Sequence, residues 1–203
     1  MAGSSRQFSN MSMKKFLLTI IAAFISLQMF AQINATVGYL NSAYRYSEGA
    51  TSANVNGEGV YAGVNTDIYS TNFRDFSFSP GIYFDFVDYE LGDGFNVLEY
   101  YLRAPLHLKY TYTVDNRLDV FGSIGPSAVL SLGSKSSMSY GNLSYNETEK
   151  GGDFDLLFGF EGGVNLSSTV RFVLGYDFGL INHGDDTYNV RRNTLHLGIG
   201  YLF

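Results

Sequence analysis

The chain has 203 residues and a formal net charge of −6, with no Cys and no Trp against 16 Tyr, 17 Phe, 23 Gly and only 3 Pro. The acidic balance leaves no basic footprint for nucleic acid. Without Cys there is no disulfide scaffold, thiolate metal site or lipid-modified N-terminal cysteine, and the aromatic and glycine content suits a twisted sheet rather than helices.

Residues 1–12 precede Met13 and read as an N-terminal extension. Lys14 and Lys15 then introduce the apolar run Phe16 to Leu27, followed by Gln28-Met29-Phe30-Ala31. A short positive region, an apolar stretch of roughly 7–15 residues and a small residue at the cut make a secretory signal. The run falls short of the ~20 residues that a membrane-spanning helix needs. Residues 13–31 are therefore read as a signal peptide cleaved after Ala31, and residues 32–203 as one domain. Removing residues 1–31 takes away Arg6, Lys14 and Lys15 and no acid, moving the charge from −6 to −9.

From there the chain repeats with period two, the signature of strands with two different faces. The first strand, about Ala35–Tyr46, loses its alternation near Asn41, so its faces stay unassigned. Further strands are expected over Gly57–Tyr69, Asp75–Val87, Leu98–Tyr112, Arg117–Gly133, Phe154–Leu166, Thr169–Leu180 and Asn193–Phe203. Most are near or above the ~9–11 residues of a tilted membrane strand. Short turns near Ser70-Thr71-Asn72, Val114-Asp115-Asn116 and Ser167-Ser168 alternate with long polar loops at Ser47–Asn56, Asp88–Asn96, Ser134–Gly152 and Asn182–Arg192. Short periplasmic turns and longer outer loops are the pattern of bacterial barrels. From the second strand to the last, the face assigned outward is read as free of Asp, Glu, Lys and Arg, consistent with a lipid-facing surface on which a mid-bilayer charge costs roughly 2–4 kcal/mol. The expected fold is all-β: an eight-stranded antiparallel up-and-down transmembrane β-barrel in the outer membrane, with both termini periplasmic.

The same parity sends Asp67, Asp75, Asp85, Glu99, Arg103, His107, Lys109, Asp119, Asp155, Glu161, Arg171, Asp177 and His196 into the lumen, joined by Tyr61, Tyr83 and Tyr101. An eight-stranded barrel has room inside for side chains and little else, so these residues are expected to pair as a polar plug, with a narrow channel or carrier for a small solute as the alternative. Catalysis is the weakest reading, that of an outer-membrane hydrolase. Ser127 and Ser131 share the inward parity, yet none of His107, His183 and His196 sits in a sequence motif with a nucleophile. No catalytic, cofactor or metal site is assigned. His183-Gly184-Asp185-Asp186 is read as a solvated turn, and Arg191-Arg192 as a charged rim near lipopolysaccharide head groups. Asn142-Leu143-Ser144 and Asn146-Glu147-Thr148 match the N-glycosylation acceptor pattern only by coincidence. Gly198-Ile199-Gly200 has no following helix and so is no dinucleotide fingerprint.

Two stretches resemble a known family. Tyr101-Leu102-Arg103-Ala104-Pro105-Leu106-His107-Leu108-Lys109-Tyr110 is similar to a central strand of PorT-like outer-membrane β-barrel proteins of Gram-negative bacteria, and Phe78-Ser79-Pro80-Gly81-Ile82-Tyr83-Phe84 to the strand before it. Arg103-Ala104 departs from the acidic residue and Ile frequent there. The tail resembles the signal read by the barrel assembly machinery, with His196 in the polar place, Gly198 in the glycine place, and Tyr201 and Phe203 in the aromatic places. The resemblance implies fold and location, and a non-catalytic structural or interaction role, secretion-associated or adhesive through the outer loops. The partners it implies are outer-membrane lipid and lipopolysaccharide, the assembly machinery during biogenesis, and an envelope or secretion protein. Pro105 has no N–H to give a ladder, which predicts a bulge or a missing bond in its strand.

Overall fold

The computed structural model describes residues 31–49, 51–69, 73, 75–92, 95–140, 143–184 and 188–203. The signal peptide up to Phe30, the extension before it, and Asp185 and Asp186 lie outside the described residues. The strands are β1 (Ala31–Glu48), β2 (Thr51–Tyr69), β3 (Phe76–Glu90), β4 (Phe95–Asp115), β5 (Leu118–Tyr140), β6 (Leu143–Lys150), β7 (Phe154–Leu166), β8 (Val170–Gly179) and β9 (Asn189–Leu202). They form one antiparallel sheet in the order β4-β3-β2-β1-β9-β8-β7-β5-β6, and a further β4–β5 pairing closes it. Eight strands make the ring, as expected. The ninth, β6, pairs with the far half of β5 outside it.

β9 returns to β1 in register from Asn34↔Leu202 to Ser47↔Asn189, and the Phe203 N–H donates to the Ile33 carbonyl at 2.9 Å. The ladder therefore has no free edge in the ring, the condition for strands in a medium that cannot hydrogen-bond them. The start of β1 and the end of β9 lie at the end that also carries the β2–β3, β4–β5 and β7–β8 turns; this is the terminal end, and the opposite one the far end.

Side chains alternate in and out along every ring strand, as period two requires. The exterior carries Val60, Val64, Ile82, Phe84, Leu106, Ile124, Phe172, Leu197 and Ile199, all exposed. Near the terminal end, aromatic pairs sit on this face: Phe76–Tyr110 with centroids 5.0 Å apart, and Tyr201–Phe203 at 4.8 Å. An apolar band edged by aromatic rings is the exterior of a membrane barrel. One expectation about this face fails. Glu58 has outward parity and is exposed, opposite the equally exposed Asp88, toward the far end. Asp75 also departs from its assignment: it lies in the turn before β3 and is exposed, because the strand begins one residue later.

The far-end loops are shorter than their polar sequences suggest. β1 and β2 pair up to Glu48↔Thr51, with Gly49 at φ 56° in the left-handed region. Ser134–Gly152 is a hairpin, with β5 and β6 paired from Gly133↔Lys150 to Tyr140↔Leu143. The first half of that stretch also pairs with β4, from Phe95↔Met138 to Tyr100↔Gly133. A three-stranded extension of β4, β5 and β6 thus rises from the far end. Both its faces meet water, so its sequence has no apolar period to mark it.

Pro105 falls in a gap of the β3–β4 ladder, between Pro80↔Leu106 and Tyr83↔Arg103, and the β4–β5 ladder skips the pairs between Pro105↔Ser127 and Leu108↔Ile124, opposite Pro126; neither gap changes register. Bonds are missing there, but no bulge forms. The β4–β5 irregularities fall instead at Tyr100/Tyr101 and Thr113/Asp115.

Candidate functional site: the lumen and its far-end vestibule

The lumen is filled in levels. At the terminal end Asp67, fully buried on β2, accepts from Lys109 Nζ at 2.6 Å, Arg171 Nη2 at 2.8 Å, Ser79 Oγ at 2.6 Å and Asn34 Nδ2 at 3.3 Å. Arg171 Nε donates to Asn165 Oδ1 at 2.9 Å. The ring of Phe121 carries both cations, with Lys109 Nζ 4.5 Å and Arg171 Cζ 4.8 Å from its centroid. One carboxylate meeting two cations and several donors is the arrangement that makes a buried charge tolerable.

The middle level is a chain of charges. Arg103 forks onto Asp85 at 2.7 and 3.2 Å and reaches Asp177 at 3.9 Å. Asp177 faces His196 Nδ1 at 3.5 Å, His196 Nε2 meets Glu161 Oε1 at 3.1 Å, and Glu161 Oε2 lies 3.5 Å from His107 Nδ1. Tyr61 and Tyr83 lie beside the Arg103 guanidinium, at 5.5 and 5.0 Å. Two glycines make room for this level. Gly159 is in register with Asp177, and a Cβ there would strike the Asp177 carboxylate. A Cβ on Gly198 would strike the Tyr61 hydroxyl. The cavity left among these residues is ≈ 20 Å³, room for about one water.

The structure also brings together a nucleophile and a base that are distant in sequence. Ser127 Oγ lies 3.5 Å from His107 Nε2, and Glu161 stands on the other ring nitrogen. Ser127 is fully buried and His107 is 2 % exposed; of the three, only Glu161 lines the ≈ 20 Å³ cavity.

Above the charges comes a level that polarity patterning does not reveal. Leu40 on β1, Val87 on β3, Val129 on β5 and Leu157 on β7 point inward, each at most 1 % exposed, and pack with Tyr89 and Tyr101. They form an apolar septum across the lumen. It explains the broken alternation in β1: Leu40 faces in with Asn34, Thr36 and Ser42, while Val37 and Tyr39 face out.

Beyond the septum the far end opens into a vestibule of ≈ 190 Å³ lined by Tyr44, Glu99, Tyr101, Asp155, His183 and Arg192, among others. The Tyr44 hydroxyl donates to Glu99 at 3.2 Å, and that of Tyr101 also donates to Glu99. Asp155 accepts from the Leu156 N–H at 2.8 Å and stands 3.2 Å from His183 Nε2. Arg192 is 4 % exposed, lies over the Tyr101 ring with Cζ 4.1 Å from the centroid, and places Nε 3.6 Å from Asp155. Arg192 was expected on the rim with Arg191. Only Arg191 is exposed; the even parity of His196 and Thr194, carried back along β9, turns Arg192 inward.

Of the other expected lumen residues, Asp119 is partly buried on β5 next to the terminal-end turn. In the tail, His196 and Gly198 face inward, and Tyr201 and Phe203 are exposed on the exterior. Among the described residues no group of three or more His, Asp or Glu is placed to hold a metal ion.

The closed ladder and the apolar exterior define the class: an up-and-down membrane β-barrel with a filled lumen. No family model and no curated relative matches the chain. Among solved structures it is similar to Ail, the attachment invasion locus protein of Yersinia pestis, in complex with the heparin analogue sucrose octasulfate (14 % identity, 85 % of this chain and 99 % of that chain covered, TM-score 0.45). It is also similar to Neisserial surface protein A (15 %, 83 % and 97 %, 0.44) and to the outer membrane enzyme PagL (12 %, 79 % and 97 %, 0.47).

Proposed function

We propose that this protein is a non-conducting, non-catalytic barrel of the bacterial outer membrane that acts as an interaction protein through its far end. The septum of Leu40, Val87, Val129 and Leu157 above the close-packed charge network carries this reading. An apolar constriction excludes ions by dewetting, and the network beneath it leaves room for about one water. The far end has what the lumen lacks, namely exposed surface. Among the described residues β6 has no strand on its outer side, and its residues 145–150 are all exposed. The far end is the cell-exterior side in this proposal, and the terminal end is periplasmic.

The resemblance of the Tyr101–Tyr110 and Phe78–Phe84 strands to PorT-like proteins supports membership of that group and a secretion-associated or adhesive role. Lipopolysaccharide around the exterior and an envelope or secretion protein at the far end are the partners. The tail residues His196, Gly198, Tyr201 and Phe203 serve as the assembly signal, read after a signal peptide has directed export. The test of the closed lumen is solute flux from proteoliposomes carrying the mature barrel. Release of small labelled solutes at the protein-free rate is expected; faster, protein-dependent release would establish a channel or carrier instead.

A further inference from the structure

The vestibule contains two opposite charges that do not meet. Glu99 and Arg192 both line it, yet no ion pair joins them. Tyr101 stands between: its hydroxyl donates to Glu99, and its ring face carries the Arg192 guanidinium at 4.1 Å. Arg192 is more than nine-tenths buried and lines the cavity, and its Nε has no hydrogen-bond partner. Asp155 stands 3.6 Å from that nitrogen, beyond hydrogen-bond reach. A buried guanidinium N–H without an acceptor is held at a cost that a ligand carboxylate would relieve.

The signs of the walls narrow the class of ligand. An anion with no cationic group would meet Arg192 but face Glu99, Asp153 and Asp155; a cation with no anionic group would meet those acids but face Arg192. A molecule carrying both charges satisfies both ends. The cavity of ≈ 190 Å³ suits a small molecule. Val129 of the septum forms part of the lining, so the cavity ends blindly instead of continuing into the lumen.

We infer that the vestibule binds a small zwitterion bearing one carboxylate and one ammonium group, with the carboxylate on Arg192, the ammonium at Glu99 and the carbon skeleton against Tyr44 and Tyr101. This goes beyond the closed-barrel reading, which flux tests independently: a binding vestibule is compatible with either outcome there.

The experiment is calorimetric titration of the full mature barrel in detergent micelles with L-alanine and with 4-aminobutanoate, which place the two charges at different separations. Butanoate and butylamine serve as one-charge controls. Saturable binding is expected for at least one zwitterion and at least tenfold weaker binding for both controls. Arg192→Gln and Glu99→Gln should each weaken the zwitterion at least tenfold while circular dichroism retains the β signature. Should Arg192→Gln fail to fold, Glu99→Gln and the control ligands decide. No saturable heat with either zwitterion, butanoate binding as tightly as its amino derivative, or affinity unchanged in Glu99→Gln would overturn the inference.

Discussion

The terminal half of the lumen and its far half solve the same packing problem by different means. Below, Asp67, Asp85, Arg103, Lys109, Arg171, Asp177, Glu161 and His196 fill the space with charges that hold one another. Above, Leu40, Val87, Val129 and Leu157 fill it with methyl groups. A charge network depends on completeness, because removing one partner leaves another ion buried and uncompensated. An apolar layer loses only the transfer and cavity terms of what is cut away. Beyond the septum, the vestibule and the β4–β5–β6 extension are relieved of both demands by water, and binding chemistry can be placed there without weakening the barrel.

Substitutions can break or sharpen this contrast. The largest effect is expected for Arg103→Ala, which strands Asp85 and Asp177 together: a loss of about 3–5 kcal/mol, read from the urea midpoint of the barrel in lipid vesicles. Next comes Leu157→Ala in the septum, at about 2–4 kcal/mol in the same assay. If the septum variant costs more than the charge variant, the ranking of the two halves is wrong. Gly159→Ala drives a methyl group into the Asp177 carboxylate and should cost about 1–3 kcal/mol, since overpacking forces neighbours to shift. The smallest effect falls on the extension. Tyr145→Ala, exposed on β6, should move stability by no more than about 0.5 kcal/mol; a larger loss would mean that the extension helps hold the ring.

Much of this was legible in the sequence, because one physical rule governs the ring: lipid outside, side chains inside, alternating residue by residue. Phe154–Leu166 reads as a strand with the bounds it has in the structure, and Asp67, Arg103, Lys109 and His196 take their inward places by parity alone. The rule fails where its cause is absent. β6 and the far ends of β1, β2 and β5 stand in water on both faces, so polar residues carry no period and the segments resemble loops. The septum was hidden for the opposite reason. Leu40 lies on the strand whose faces stayed unassigned, and Leu157, though it shares the inward parity of Asp155 and Glu161, is apolar and so carries no polar mark of the lumen. Asn41 was the visible sign of this, marking the point where β1 passes the septum. Arg192 was within reach of parity but was masked by its neighbour Arg191, since a basic pair at a strand end suggests a rim. The meeting of Ser127, His107 and Glu161, drawn from three strands, depends on register and was not available from any local motif.

The central claim is that the septum closes the barrel. It is tested most directly by single-channel recording in planar bilayers, comparing the unaltered mature barrel with the double variant Leu40→Ser, Leu157→Ser, which replaces the two fully buried leucines by hydroxyls. The unaltered barrel should be electrically silent; the variant, with the charge network still packed beneath the cut septum, should gain at most brief, small openings. Steady conductance through the unaltered barrel would contradict the account.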